Sequence, residues 1–164
     1  MLERLAESGY IERESKVIDY GCGKGRVSFF LNYALGCDSI GLEYDEKICR
    51  QARQNLETFA GKKKPEFVCE SAENFRVEDA DCFYFFNPFP IEVLRTVLGR
   101  IIDSYYEDPR MMRLFFYYPD DEYPALLMTT EELVFADEID CRDLFPGDNP
   151  RERILIFELE TYGF

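Results

Sequence analysis

The chain is predicted to fold as a doubly wound α/β sheet. Strand and helix patterns alternate through most of its length, a glycine-rich loop follows the first strand pattern, and no helix separates the last two strand patterns. No internal repeat or long linker divides the 164 residues. We therefore expect a single domain over residues 1–164.

The predicted strands are short apolar segments between turn residues. Parallel strands need a crossover connection, so the last two, joined only by a loop, are expected to be antiparallel. In chain order the predicted strands span residues 17–20, 39–43, 66–69, 81–86, 113–118, 131–139 and 153–160.

The predicted helices carry apolar residues at helical spacing and have recognisable end signals. Gly9 and Gly36 close the first two helices, Asp45 is a candidate N-cap of the third, and Pro90 stands in the first turn of the fourth. In chain order the predicted helices span residues 2–8, 25–35, 45–59, 90–105 and 123–128.

The loop after the first strand is predicted to bind a ligand. Gly21, Gly23 and Gly25 stand at alternate positions, where glycine lets the backbone turn sharply and approach a bound molecule. A dinucleotide fingerprint needs its last glycine at position 26, which is an arginine here. Asp19 would repel a pyrophosphate but attract an ammonium or sulfonium group. The pattern therefore favours a cationic nucleoside, and a glycine turn without a ligand is the alternative.

The segment Asp19-Tyr20-Gly21-Cys22-Gly23-Lys24-Gly25 resembles the D-x-G-x-G-x-G signature of class I S-adenosylmethionine-dependent methyltransferases. The resemblance implies a mostly parallel seven-stranded sheet with helices on both faces and a C-terminal antiparallel strand pair. It also implies S-adenosylmethionine as cofactor, with the glycine loop under its methionine part and Asp19 near its amino group. Glu43 stands where the family has an acid for the ribose hydroxyls, and one carboxylate can accept from both hydroxyls.

The resemblance extends to the residues after the third strand, which contact the adenine ring in the family. Ser71 replaces the usual acid and is followed by Ala72, while Glu70 is the alternative contact if the register slips by one residue. The resemblance assigns the following residues to cofactor binding: Asp19, Gly21, Cys22, Gly23, Gly25, Glu43, Tyr44, Ser71, Ala72 and Asn87.

A second segment, Asn87-Pro88-Phe89-Pro90, is similar to the N-P-P-[FYW] motif of methyltransferases that act on amino nitrogens of adenine, cytosine or glutamine. The resemblance assigns catalytic roles to Asn87, Pro88 and Phe89, because the asparagine side chain and the proline carbonyl accept hydrogen bonds from the target amine in that group. Phe89 replaces the second proline, and Pro90 stands where the aromatic residue is expected. In the alternative interpretation, Asn87-Pro88 only ends a strand and Pro90 starts a helix.

Composition restricts the partners and the location. The net charge of −14 opposes binding to a polyanion and argues against nucleic acid, which leaves a small-molecule or protein methyl acceptor. No apolar run approaches the roughly 18 residues that span a bilayer, and the charged start is unlike a signal peptide. We therefore expect a cytoplasmic protein without membrane contact.

The cysteines predict neither a metal site nor a disulfide framework. The chain has six cysteines, no C-x-x-C pair and no histidine. A zinc site of the usual Cys/His type is therefore disfavoured, and buried free thiols are expected.

These observations together predict an S-adenosylmethionine-dependent methyltransferase that acts on a nitrogen of a protein side chain or small molecule, with an oxygen as the alternative acceptor atom. The alternative is a catalytically inactive regulatory or interaction module that keeps the cofactor pocket, which the altered Asn87–Pro90 motif suggests. A nicotinamide-dependent oxidoreductase is disfavoured by the arginine at position 26.

Overall fold

Seven strands form one sheet in the computed structural model, which describes residues 1–160. They are β1 Lys16–Tyr20, β2 Asp38–Glu43, β3 Glu66–Cys69, β4 Cys82–Phe85, β5 Met112–Tyr117, β6 Val134–Asp140 and β7 Arg153–Leu159. The spatial order is β3-β2-β1-β4-β5-β7-β6, with β1 to β5 parallel and β7 antiparallel to both of its neighbours. The predicted sheet and its antiparallel terminal pair are confirmed.

Five α-helices within residues 1–160 flank the sheet. They are α1 Leu2–Glu7, α2 Arg26–Leu35, α3 Glu46–Asn55, α4 Ile91–Glu107 and α5 Glu122–Thr129. Asp45 caps α3 as predicted, since its carboxylate accepts hydrogen bonds from the backbone amides of Lys47 and Ile48. Gly36 ends α2 with a φ of 71°, a left-handed conformation that favours glycine.

Separate apolar clusters cover the two faces of the sheet. On the face with α4 and α5, the ring of Phe85 stacks between those of Tyr20 and Phe116, with centroid distances of 4.9 and 4.6 Å. On the opposite face, Leu5 of α1 and Leu31 of α2 are fully buried. The stacked aromatic rings hold the carboxyl ends of β1, β4 and β5 together, where the site described below lies.

The largest differences from the predicted boundaries are at the start of β6 and the end of α3. Strand β6 begins at Val134 rather than at residue 131, because the amide of Leu133 donates to the carbonyl of Thr130 and closes a turn first. The helix predicted to reach residue 59 ends at Asn55 and continues as a 3-10 turn over Leu56–Thr58. Residues 161–164 of the predicted domain lie outside the described residues, and the single domain stays a prediction.

The expectation of free thiols is wrong for two of the six cysteines. Cys49 of α3 and Cys69 of β3 form a disulfide, with their Cα atoms 5.8 Å apart. They are 20 residues apart in sequence, and only the packing of α3 on β3 brings them within bonding distance. The other four cysteines are buried free thiols as predicted, and burial raises the pKa of Cys37 to about 11.

Candidate active site

The loop after β1 has a backbone that favours glycine. Gly21, Gly23 and Gly25 have φ angles of 68°, 56° and 91°. A Cβ atom at Gly21 would lie 2.6 Å from Cβ of Pro88, and one at Gly25 would lie 2.5 Å from the ring of Phe67. Nothing lies within 4 Å of the same position at Gly23. Close packing therefore requires glycine at 21 and 25, whereas backbone conformation alone favours it at 23.

Hydrogen bonds connect this loop to β2. The amide of Cys22 donates to the carbonyl of Leu42 at 2.8 Å, and the amide of Gly23 donates to Oε2 of Glu43 at 3.0 Å. Oε1 of Glu43 accepts from the amide of Asp45 at 3.0 Å. These bonds orient the Glu43 carboxylate, and each of its oxygens keeps a lone pair for a ligand.

Asp19 lies on β1 behind the glycine loop, with 2% of its surface exposed. Its Oδ2 accepts a hydrogen bond from Oγ of Ser28 at 2.9 Å. Burial raises the pKa of Asp19 to about 7, although the Ser28 bonds lower it, and the charge of Glu43 raises it further. Asp19 does not line the cavity described next. Its bond to Ser28 joins β1 to α2, the helix that follows the loop.

A cavity of about 450 Å³ lies on the glycine loop, at the carboxyl ends of the parallel strands. Ligands of open α/β sheets bind at this edge, where the strand order reverses, which here is between β1 and β4. The predicted residues that line the cavity are Gly21, Glu43, Tyr44, Ser71, Ala72, Pro88 and Phe89. The predicted residues that do not line it are Asp19, Cys22, Gly23, Gly25 and Asn87.

Three lining residues were not predicted as site residues. Leu42 and Val93 line the cavity, but in the sequence they carry only the apolar signal of core positions. Glu73 follows β3 in a loop without a motif. Glu70, the alternative to Ser71, lines the cavity together with it, so the structure places both at the site.

The cavity has a strongly acidic lining. Among the described residues that surround it, Glu43, Glu70 and Glu73 are acids and none is basic. Carboxylates that line the same cavity repel a pyrophosphate and stabilise a cation. The cavity is therefore suited to a positively charged nucleoside.

Asn87 follows β4 at the border of the cavity, with a φ of 40°. Its Nδ2 donates to the carbonyl of Tyr118, and its Oδ1 accepts from the amide of Asp120 at 2.8 Å. The side chain thus joins the end of β4 to the loop after β5. These contacts fit the interpretation in which Asn87 ends the strand, and they leave one lone pair on Oδ1.

The fold and the site together define a class I, Rossmann-like methyltransferase. The sheet has an antiparallel strand inserted next to its edge, and a glycine loop after β1 lies beside an acid at the end of β2. The family model described as "Methyltransferase domain" matches residues 17–104, which is more than half of the chain. The chain belongs to this family.

Solved structures share the whole fold at low sequence identity. An RNA methyltransferase from Salinibacter ruber, in complex with S-adenosyl-L-homocysteine, has a TM-score of 0.72 at 13% identity over 99% of this chain and 92% of that chain. An rRNA methylase from Streptococcus thermophilus has a TM-score of 0.67 at 18% identity over 98% and 94%. The mitomycin 7-O-methyltransferase MmcR has a TM-score of 0.70 at 13% identity over 98% and 53%. No curated protein matches the chain in sequence.

The family match confirms the identification made from the glycine signature, including the S-adenosylmethionine dependence of the class. RNA methyltransferases are among the similar structures, so these likenesses do not support the exclusion of nucleic acid as a substrate. Over residues 1–160, no helix has the length and apolar character needed to cross a membrane. The cytoplasmic location stays a prediction.

Proposed function

We propose that this protein binds S-adenosylmethionine in the cavity on the glycine loop and transfers its methyl group to a nitrogen of a small molecule or protein side chain. The acidic lining of the cavity is the observation that carries the cofactor assignment. A sulfonium group and an ammonium group are both stabilised among carboxylates. The pyrophosphate of a dinucleotide is not, which disfavours a nicotinamide enzyme.

Glu43 is the proposed ribose ligand. Its carboxylate is held by the amides of Gly23 and Asp45, and its remaining lone pairs can accept from two vicinal hydroxyls. For the adenine ring we propose Ser71 as an acceptor from the amino group and the Ala72 amide as a donor to a ring nitrogen. Both residues line the cavity, as this assignment requires.

We propose that the glycine loop binds the methionine part of S-adenosylmethionine. Gly21 lines the cavity with backbone atoms alone, while Cys22, Gly23 and Gly25 shape the loop without reaching the cavity. An ammonium group bound at the loop would favour the ionised form of the Asp19 carboxyl. Tyr44, which is 80% exposed beside Glu43, is available to cover the bound nucleoside.

Methyl transfer from this cofactor needs little acid or base assistance, because the bound sulfonium supplies an activated methyl group. The protein contributes position and exclusion of water. Pro88 and Phe89 form one wall of the cavity, next to Asn87. The free lone pair on Oδ1 of Asn87 can accept a hydrogen bond from the acceptor amine, and the departing proton can pass to water.

The proposed acceptor is a small molecule or a protein side chain rather than nucleic acid. The net charge is −14, the loop that Asn87 holds carries the exposed acids Asp120 and Asp121, and α5 begins with the exposed Glu122. These exposed acids oppose the approach of a phosphate backbone. They are compatible with a neutral or cationic methyl acceptor.

Labelled cofactor tests this proposal directly. The protein is incubated with methyl-labelled S-adenosylmethionine and a cell extract, and the label is followed into small-molecule, protein and RNA fractions. We expect label in the small-molecule or protein fraction, and reduced transfer by Glu43→Ala at a cofactor concentration near the wild-type Kd. Label that ribonuclease releases would contradict the proposed acceptor class.

A second candidate function is cofactor binding without turnover. Both polar groups of the Asn87 amide already have partners within the protein, which favours this candidate. Calorimetry with S-adenosylhomocysteine separates the two. Tight binding with no labelled product in any fraction would support the non-catalytic module, and no binding would contradict both candidates.

A further inference from the structure

The disulfide between Cys49 and Cys69 lies beside the part of the cavity that is proposed to hold the nucleoside. Cys69 is the last residue of β3, and in the strand register it pairs with Glu43, the proposed ribose ligand. The residues that follow it line the cavity, and they are Glu70, Ser71 and Ala72. The disulfide therefore fixes the chain directly before the segment proposed to contact the adenine ring.

The other half of the disulfide is on α3, whose start is connected to the same carboxylate. Cys49 lies in the first turn of α3, and its amide donates to the carbonyl of Asp45 at 2.8 Å. The amide of Asp45 in turn donates to Oε1 of Glu43 at 3.0 Å. The disulfide thus joins the element that orients the ribose ligand to the strand that leads into the adenine segment.

Other contacts hold α3 and β3 together when this bond is open. Nε and Nη2 of Arg53 donate to the carbonyl of Phe67 at 3.1 and 2.9 Å, two residues before Cys69. Beyond the end of β3, Nε of Arg100 donates to the carbonyl of Glu73 at 3.1 Å. Opening of the disulfide therefore frees the chain between these two anchors and leaves the rest of the sheet in place.

The disulfide can be reached by an external thiol from the edge of the sheet. Cys69 is partly exposed on the edge strand β3, whereas Cys49 is fully buried. Burial raises the pKa of each of the other four thiols, which makes them poor nucleophiles, and they are Cys22, Cys37, Cys82 and Cys141. All six cysteines lie within residues 1–160, so a reductant has one disulfide to open.

We infer that the Cys49–Cys69 disulfide is a redox switch for cofactor binding, in which the oxidised protein binds S-adenosylmethionine more tightly than the reduced protein. This inference rests on the proposed function. It assigns a regulatory role to a bond that takes no part in methyl transfer.

The switch is opened by a dithiol through thiol–disulfide exchange. A thiolate of the dithiol attacks Sγ of Cys69, the S–S bond breaks, and its electron pair goes to Sγ of Cys49, which takes a proton. The second thiolate of the dithiol then displaces Sγ of Cys69, which also takes a proton. The dithiol leaves as a disulfide, and the protein has gained two thiols. An external disulfide reverses both steps.

Cofactor binding and reduction must affect each other by the same factor. If the oxidised form binds about tenfold more tightly, saturating ligand stabilises the disulfide about tenfold against reduction. For a two-electron couple, this factor lowers the reduction potential by about 30 mV. The bound cofactor thus protects the form that binds it.

Calorimetry with S-adenosylhomocysteine and with adenosine, with and without dithiothreitol, tests the switch. We expect both ligands to bind about tenfold more weakly to the reduced wild type, because the freed segment belongs to the nucleoside part of the cavity. Cys49→Ser/Cys69→Ser should match the reduced wild type and show no response to dithiothreitol. Cys141→Ser is the control, because Cys141 is a buried free cysteine directly after β6, and it should respond like the wild type.

A redox titration provides a second measurement that needs no variant. The wild type is equilibrated in dithiothreitol buffers of defined potential, and alkylation followed by mass spectrometry gives the reduced fraction of Cys49 and Cys69. Saturating S-adenosylhomocysteine should lower the midpoint by about 30 mV. An unchanged midpoint, or equal affinities of the two forms, would overturn the switch.

Three further outcomes are decisive. Weaker binding of S-adenosylhomocysteine with unchanged binding of adenosine would overturn the location of the effect at the nucleoside. Loss of the circular dichroism signal on reduction would also overturn the switch, because the disulfide would then stabilise the fold as a whole. Absence of binding by both the oxidised and the reduced form rejects the proposed function, whereas equally tight binding by both rejects the switch alone.

Discussion

At the scale of single residues, the glycine loop offers a comparison between two positions with the same backbone requirement. Gly21 and Gly23 both have positive φ, but only Gly21 has a neighbour, Pro88, in the space of a Cβ atom. Alanine at either position costs about 1–2 kcal/mol in left-handed backbone. Gly21→Ala must in addition displace the cavity wall.

We therefore expect Gly21→Ala to weaken S-adenosylhomocysteine binding by about tenfold more than Gly23→Ala, a difference of about 1.4 kcal/mol. Calorimetry measures both affinities, and circular dichroism checks that both variants fold. Equal losses would show that the contact between Gly21 and Pro88 does not shape the binding site.

Glu43 is the residue whose removal should affect cofactor binding most directly. Its carboxylate also accepts hydrogen bonds from the amides of Gly23 and Asp45. Glu43→Gln therefore tests the contribution of the negative charge, whereas Glu43→Ala removes the whole carboxylate. We expect Glu43→Ala to lose about 1–3 kcal/mol of binding free energy, as for hydrogen bonds to a charged group. Glu57→Ala, at an exposed acid outside the cavity, is the control. Unchanged affinity in Glu43→Ala would reject the ribose assignment.

Asp19 makes the stability of the protein depend on pH. Because burial raises its pKa from 3.8 to about 7, the folded state holds a proton that the unfolded state releases within this range. The free energy of unfolding should fall as pH rises through this window, relative to that of Asp19→Asn. Urea unfolding at several pH values measures the difference, and exposed Asp103→Asn should follow the wild type. A difference that grows in the opposite direction would contradict the buried carboxyl.

At the scale of secondary-structure elements, the disulfide joins α3 to the end of β3. Cys69 directly precedes Glu70 and Ser71, which line the cavity. The bond closes a loop with a sequence separation of 20 residues. It therefore constrains both the unfolded chain and the strand end that leads into the site.

Reduction of this disulfide should lower the free energy of unfolding by about 3 kcal/mol, the value typical of a loop of this size. Urea unfolding with and without dithiothreitol measures the loss, and Cys49→Ser/Cys69→Ser should be as stable as the reduced protein and insensitive to the reductant. The buried Cys82→Ser serves as control and should keep the sensitivity. Identical curves for the oxidised and reduced wild type would contradict a stabilising disulfide.

Element positions were largely predictable from the sequence, and the errors have local causes. The strand over Glu66–Cys69 has the predicted bounds, because a proline and a polar segment limit a short apolar run. The predicted start of β6 was wrong. The amide of Leu133 donates to the carbonyl of Thr130 and forms a turn, and a hydrophobic pattern does not describe backbone hydrogen bonds of this kind.

At the scale of the whole molecule, net charge is the property that acts at the longest range. At −14, the protein should bind RNA weakly despite the RNA methyltransferases among its structural neighbours. We expect no measurable binding of a fluorescein-labelled RNA at physiological salt, by fluorescence anisotropy. A basic nucleic-acid-binding protein serves as positive control. Submicromolar affinity that falls steeply with salt would show that local positive charge outweighs the total.

The candidate site was predictable where a residue's role depends on its own backbone or on the end of its strand. Glycines 21, 23 and 25 were recognisable because left-handed backbone excludes most side chains, and Glu43 because it ends an apolar strand beside them. The position of Val93 at the cavity was not predictable, because nothing in the sequence shows that a residue on the first turn of a helix borders a cavity.

The sequence by itself determined the fold class, the antiparallel pair of C-terminal strands and the ligand-binding loop. The fold class follows from periodicity, the antiparallel pair from the length of the connection between its strands, and the loop from glycine spacing. Tertiary structure alone decided which side chains meet. It buried Asp19 behind the loop, joined Cys49 to Cys69, and bound the Asn87 amide to the loop after β5. Each of these contacts links residues far apart or on different elements, and their distance depends on packing that no local pattern encodes.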